Sequence, residues 1–205
     1  MPRPRSTEQG FTLIELLVYV SFFVVVLVIV GGILINSLTV EKTVRGSAGT
    51  ANLGQLLSQS IGQSVRNATA ITTSSSSEST GVAGSELLVL ETLTAGGTAT
   101  VQCHAWLYVP LHGGQLFSAR APARIPIPAV DYLAAVPADQ PISAPTGWSS
   151  FGEGVNPAGS TPVFSVNTHG VSYAFDLTRE NGSTETVSGA SSSHQTLKAT
   201  SPLCF

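Results

Sequence analysis

From Leu16 to Ile35 the chain carries twenty residues without a charge, and a single carboxylate, Glu15, stands immediately before them. At about 1.5 Å rise per residue, a helix of that length covers the roughly 30 Å hydrocarbon core of a bilayer. The ten preceding residues, MPRPRSTEQG, are polar and include Arg3 and Arg5. The positive-inside tendency therefore places the N-terminus in the cytoplasm and everything after about residue 40 outside it, with Lys42 and Arg45 weakening the asymmetry. A secretory signal would have an apolar core of about 7–15 residues with a small-residue cleavage site close behind it. This run is longer and no such site follows, so the segment is expected to stay on the mature chain as a single-pass anchor.

Glu15 breaks the simple anchor reading. A carboxylate at mid-membrane costs about 2.5–3.5 kcal/mol on insertion scales, less near an interface, and usually has a partner. The only nearby cations in the chain lie in the flank before Gly10. A cut after Gly10 would create another, the α-amine of Phe11. If that amine belonged to a neighbouring copy, the stranded carboxylate would become an assembly device.

The order Gly10-Phe11-Thr12-Leu13-Ile14-Glu15-Leu16-Leu17-Val18, behind a short basic leader and ahead of an unbroken apolar run, resembles the type III signal of type IV prepilins and pseudopilins. The resemblance covers about the first 60–70 residues. It implies a pilin-like fold, cleavage between Gly10 and Phe11 by a membrane-embedded prepilin peptidase, and N-methylation of Phe11. It also implies that Glu15 pairs with the N-terminus of an adjacent subunit. The partners implied are other pilin or pseudopilin subunits, the peptidase, a membrane assembly platform and the lipid bilayer. Pili, secretion pseudopili and competence filaments all use this signal. Many family members carry a proline midway along the apolar helix; here the neighbourhood reads Val30-Gly31-Gly32-Ile33. Each glycine weakens a helix by about 1 kcal/mol against Ala, or serves as a close-packing position between membrane helices.

Cys103 and Cys204 are the two cysteines. In an exported, oxidising setting a single disulfide is the expected state. The alternatives are two free thiols, or Cys103 buried as a small apolar residue. A bridge would close a loop of about 100 residues, worth about 4–5 kcal/mol in the chain-entropy model.

Beyond the membrane run, Leu53, Leu56, Leu57, Ile61, Val65 and Ala68 recur at helical spacing, with Asn52, Gln55, Gln59, Gln63 and Arg66 mostly opposite. One long helix is expected from about Phe11 to Ala70, although Gly46, Gly49, Gly54 and Gly62 each weaken it. The polar tract 71–80 reads as the loop leaving the helix. Strands are expected at Leu87–Leu93, at Ala99–Val109 with alternating faces, and at Gln115–Ser118 after the turn His112-Gly113-Gly114. Further strands are expected at Pro162–Val166, Val171–Leu177, Thr184–Val187 after Asn181-Gly182, and His194–Thr200. Nine of the 12 prolines lie between Pro110 and Pro162, which predicts loops and edges there. The fold class is α+β: a long N-terminal helix, transmembrane in its first half, packed on an antiparallel sheet. The divisions expected are a leader at 1–10, a transmembrane or filament-core helix at 11–35, its amphipathic continuation at 36–70, and an extracytoplasmic head at 71–205.

The chain offers no recognisable catalytic or nucleotide-binding motif. G-x-S-x-G, Walker A and H-E-x-x-H are absent, so any motor must be another protein. His104, His112, His169 and His194 lack ligand spacing, so no metal or cofactor is expected. Gly152-Glu153-Gly154 lacks the third glycine of a dinucleotide fingerprint. Trp106, Tyr108, Trp148 and Phe151 are read as core residues over a binding surface. Charged residues make up 10 % of the chain and the net charge is −3, which argues against a nucleic-acid partner. The head's cations are chiefly Arg120, Arg124, Arg179 and Lys198, with at most a local phosphate contact at Arg120 and Arg124. The expected function is a structural filament subunit. Trp148, Gly154-Val155, Val163-Phe164 and Gly170-Val171 are similar to the J/W class of minor pseudopilins, implying a minor subunit. The alternatives are a membrane-anchored extracellular binding module that never polymerises and, with less support, an exported enzyme.

Overall fold

The computed structural model describes residues 12–75, 81–94, 100–128, 137, 140, 142–178 and 182–205. Two compact units, Met1–Arg45 and Gly46–Phe205, each hold together through their own contacts. Helix α1 (Leu13–Arg66) begins in the first and ends in the second. An N-terminal apolar helix is followed by antiparallel sheets, the expected α+β arrangement.

In the second unit, Leu57, Ile61 and Val65 of α1 are fully buried, Leu53 is partly buried, and Leu56 is 49 % exposed. The buried stripe therefore leaves out Leu56 and keeps Leu57, Ile61 and Val65 as an i, i+4, i+8 ridge, with Gly54, Gly62 and Ser64 buried beside it. The helix stops at Arg66, short of residue 70. Its end is tied by Asn67 Nδ2 donating to Gln63 O at 3.3 Å and His194 N donating to Arg66 O at 3.0 Å. The next residues form a strand, β1 (Ala68–Ser75), over the first part of the loop expected at 71–80; residues 76–80 lie outside the described residues. The β-branched residues of Ala68–Thr73 suit an extended backbone. A neighbouring strand, β2 (Glu86–Leu93), meets them in antiparallel register from Ala68 opposite Thr92 to Ser75 opposite Glu86.

The first sheet continues as a meander through β3 (Val101–Val109), β4 (Gln115–Ala121) and β5 (Ser149–Glu153), in spatial order β1-β2-β3-β4-β5. Of the expected strand at Ala99–Val109, Ala99 falls outside the described residues. The turn before β4 has left-handed backbone at His112, Gly113 and Gly114. Both faces of β3 are buried. Cys103, Ala105, Leu107 and Val109 join one cluster with Phe117, Ile125, Ile142 and Trp148. Trp106 and Tyr108 join the other, with the helix ridge. Ile125, Ile142 and Trp148 come from the proline-rich stretch, which contains no helix among its described residues. These three side chains cover the sheet's outer face, with Trp148 Nε1 donating to Pro126 O at 3.0 Å.

The second sheet is built on β8 (Gly170–Thr178). Along one edge lie β6 (Val155–Pro157) and β7 (Phe164–Asn167), and along the other β9 (Thr184–Ser192). The inner faces of both sheets meet the helix ridge in one core containing Leu88, Leu90, Leu116, Val155, Phe164, Val171, Phe175 and Leu177. Gly54 lets the helix approach β9 closely, because a Cβ there would lie 2.8 Å from Val187 Cγ2.

The strand expected at His194–Thr200 does not form. Lys198 makes only an isolated parallel bridge to Ala70, its N donating to Thr69 O at 2.8 Å. The bridge lies beside the bulge at Thr69, between Ala68 and Ala70 of β1.

Candidate membrane-embedded assembly segment

The expected cleavage residues Gly10 and Phe11 lie outside the described residues. Immediately after them Thr12 caps the helix: Glu15 N donates to Thr12 O at 3.1 Å and to Thr12 Oγ1 at 3.4 Å, and Leu16 N donates to Thr12 O at 3.2 Å. Thr12-x-x-Glu15 is thus a capping-box signature, a local signal overlaid on the membrane one. It gives Glu15 a second role: a carboxylate in the first helical turn interacts favourably with the positive end of the helix dipole, by about 0.3–1 kcal/mol at an exposed site.

Among the described residues no cation lies within ion-pair distance of Glu15, and the side chain is exposed. The stretch Leu13–Leu38, 26 residues with a mean hydropathy of 3.0, is long and apolar enough to cross a membrane, and none of it is buried within the chain. Helical spacing puts Glu15, Tyr19, Phe22 and Val26 on one face, where Tyr19, Phe22, Phe23 and Val26 outline a shallow apolar concavity. A Cβ added at Gly31 or Gly32 would meet nothing within 4 Å, so neither glycine packs against another element here. Ser21 satisfies its hydroxyl internally, donating to Leu17 O at 2.8 Å. What remains is a stretch, Leu13–Leu38, apolar on all sides, with one carboxylate in its first turn that meets no cation among the described residues. Lipid or like helices suit such a surface.

In the second unit, Cys103 and Cys204 form a disulfide, with Cα atoms 5.5 Å apart. Trp106, Tyr108 and Trp148 are buried and Phe151 is half-buried against the core, as their reading as core residues predicted. His104 is also buried, with Ser64 Oγ 3.1 Å from its Nδ1 and Gln102 Oε1 3.2 Å from its Nε2. Burial, helped by the Arg120 charge on the neighbouring strand, pushes its pKa down to about 4. Among the described residues no three His, Cys, Asp or Glu side chains converge as metal ligands. Arg179 lies outside the described residues. Arg124 borders a pocket of about 260 Å³ with Thr72, Leu87, Val89, Trp148 and Phe205.

Comparison with known protein families, curated proteins and solved structures finds no match to this chain.

Proposed function

We propose that this chain is a filament subunit of the type IV pilin and pseudopilin kind, of the minor class, processed between Gly10 and Phe11 and assembled through its N-terminal helix. The observation that carries the proposal is an all-round apolar stretch, Leu13–Leu38, with Glu15 in its first turn and no cation beside it among the described residues, at the end of the Gly-Phe-Thr-Leu-Ile-Glu signal. In lipid alone the carboxylate has only the helix end to interact with. In a bundle of copies, the α-amine of a neighbour's Phe11 provides the opposite charge. Pairing a charge in a dry site gains most where the alternative is an isolated one. The disulfide fits an extracytoplasmic head, and an N-terminal apolar helix followed by antiparallel sheets is the α+β layout that a pilin-like subunit requires.

Two measurements on the full chain in its native membrane test this. Mass spectrometry of the assembled form should find an N-terminal phenylalanine bearing one methyl group; an intact Met1 there would refute the processing step. Glu15→Ala should still be cleaved yet enter filaments tenfold less or worse. The capping box favours a second reading, a monomeric anchored binding module in which Glu15 only starts the helix. On that reading Glu15→Ala would leave cell-surface function intact.

A further inference from the structure

Glu91 on β2 stands directly opposite Cys103 on β3. Cross-strand partners point to the same face, so its carboxylate lies beside the cysteine on the outer side of the sheet. Glu91 is 3 % exposed, and a charge buried that far is costly unless its oxygens are met. Both are. Oε1 accepts from Thr69 Oγ1 at 2.7 Å and from Lys198 Nζ at 3.3 Å, and Oε2 accepts from the Ser201 hydroxyl. Thr69 is the extra residue of the β1 bulge. The other two donors belong to the C-terminal segment.

That segment closes a tight turn on the same hydroxyl. Cys204 N donates to Ser201 O and to Ser201 Oγ, both at 3.2 Å, and Phe205 N donates to Ser201 O at 2.9 Å. Ser201 therefore grips the carboxylate with its proton and Cys204 with its lone pair. The sulfur of Cys204 is bonded to Cys103, the residue facing Glu91 across the ladder.

We infer that Glu91 is a positioning residue for disulfide formation: it docks the C-terminal segment through Ser201 and Lys198 while both thiols are still reduced, and so holds Cys204 against Cys103. The cysteines are 101 residues apart, and a chain of that length seldom brings its ends together unaided. A non-covalent latch three residues from Cys204 raises the effective concentration of one thiol at the other. Burial pushes the Glu91 pKa up, but the hydrogen bonds from Ser201, Thr69 and Lys198 outweigh it and hold the carboxyl below its ordinary range. The latch is thus charged wherever thiolates are available. The oxidant is a disulfide donor of the glutathione class. One protein thiol loses its proton and displaces a glutathione thiolate, giving a mixed disulfide. The second protein thiolate attacks the protein sulfur of that bond, forms Cys103–Cys204 and expels the other glutathione thiolate. Two protons leave the protein and two electrons end on two reduced glutathiones.

The test uses the full chain in detergent micelles. The fraction oxidised across a series of reduced and oxidised glutathione mixtures yields the effective concentration of the pair. Glu91→Gln and Ser201→Ala should each lower it about tenfold or more, since the first removes the charge that the donors meet and the second removes one of those donors. Hydrogen exchange supplies a readout that general destabilisation would not move. In dithiothreitol-reduced wild-type protein, the Lys198 and Cys204 amides should stay protected. In reduced Glu91→Gln they should exchange freely, while β8 and β9 keep the same protection in both. Free exchange at Lys198 and Cys204 in the reduced wild type would overturn the inference, as would an unchanged effective concentration in Ser201→Ala. If Glu91→Gln unfolds throughout, the reduced wild type and Ser201→Ala decide the matter.

Discussion

His104 shows how one buried side chain can set the acid response of the second unit. Its ring is wedged between Ser64 and Gln102 and is pushed down to about 4 from the ordinary 6.5. Between those values the unfolded chain binds a proton that the folded chain refuses. Stability contributed by this site is therefore complete above about pH 6.5 and is lost as pH falls toward 4. Between pH 7 and 5 the loss should be about 1–2 kcal/mol, and it should shrink in His104→Gln; urea unfolding at each pH measures it. Glu91, held below its ordinary range, works in the same direction but at lower pH, below about 4.5. Glu15 carries two signals at once. Its oddity in an apolar run was legible from composition alone. Its local partnership with Thr12, as T-x-x-E, lay in the same few residues but beneath the stronger membrane pattern, and it stands out only once the helix is seen to start at Leu13.

At the scale of the element, the turn Leu111–Gly114 joins the two sheets. Val155 N donates to Gly114 O at 3.1 Å and Asn156 Nδ2 to Gly113 O at 3.3 Å. Gly114 has φ +85°, and a Cβ there would stand 1.7 Å from Val155 O. Gly114→Ala should therefore cost more than about 2 kcal/mol, combining the left-handed backbone penalty with displacement of the first residue of β6. Gly113 has a similar φ but open space around it, so Gly113→Ala should cost only about 1 kcal/mol. Comparing the two midpoints in urea separates the steric part from the conformational one. His112-Gly113-Gly114 could be read as a turn from composition, whereas the proximity of Val155, some forty residues on, could not. The same gap explains Leu56 and Leu57. Adjacent and chemically identical, they fit one stripe on paper, yet one is 49 % exposed and the other fully buried. Only the position of the sheets chooses between them.

For the whole molecule, the loop between Cys103 and Cys204 includes both sheets from β3 onward. Replacing both cysteines with serine should lower stability by about 2–5 kcal/mol, read as a drop in thermal midpoint of the full chain in micelles. The remaining fold should persist, because the larger core, built on Leu57, Ile61 and Val65, includes neither cysteine. The outer cluster that holds both cysteines also recruits Ile125, Ile142 and Trp148 from the proline-rich stretch. These three residues therefore cover the outer face of the sheet, in a stretch where proline content alone predicted loops and edges.

Patterns that repeat within a few residues were readable in advance: the uncharged apolar run, the helical ridge, the alternation along β8 and the parity of two cysteines. Each reflects a local period or a simple count, and each depends on the residue's own neighbours along the chain. Contacts between distant segments were not readable. They ended the helix at Arg66, made a strand of Ala68–Ser75, buried both faces of β3, and left the C-terminal segment with a single bridge to Ala70. These outcomes depend on which surfaces exclude water together and which backbone groups find partners, and both are settled only when remote parts of the chain meet.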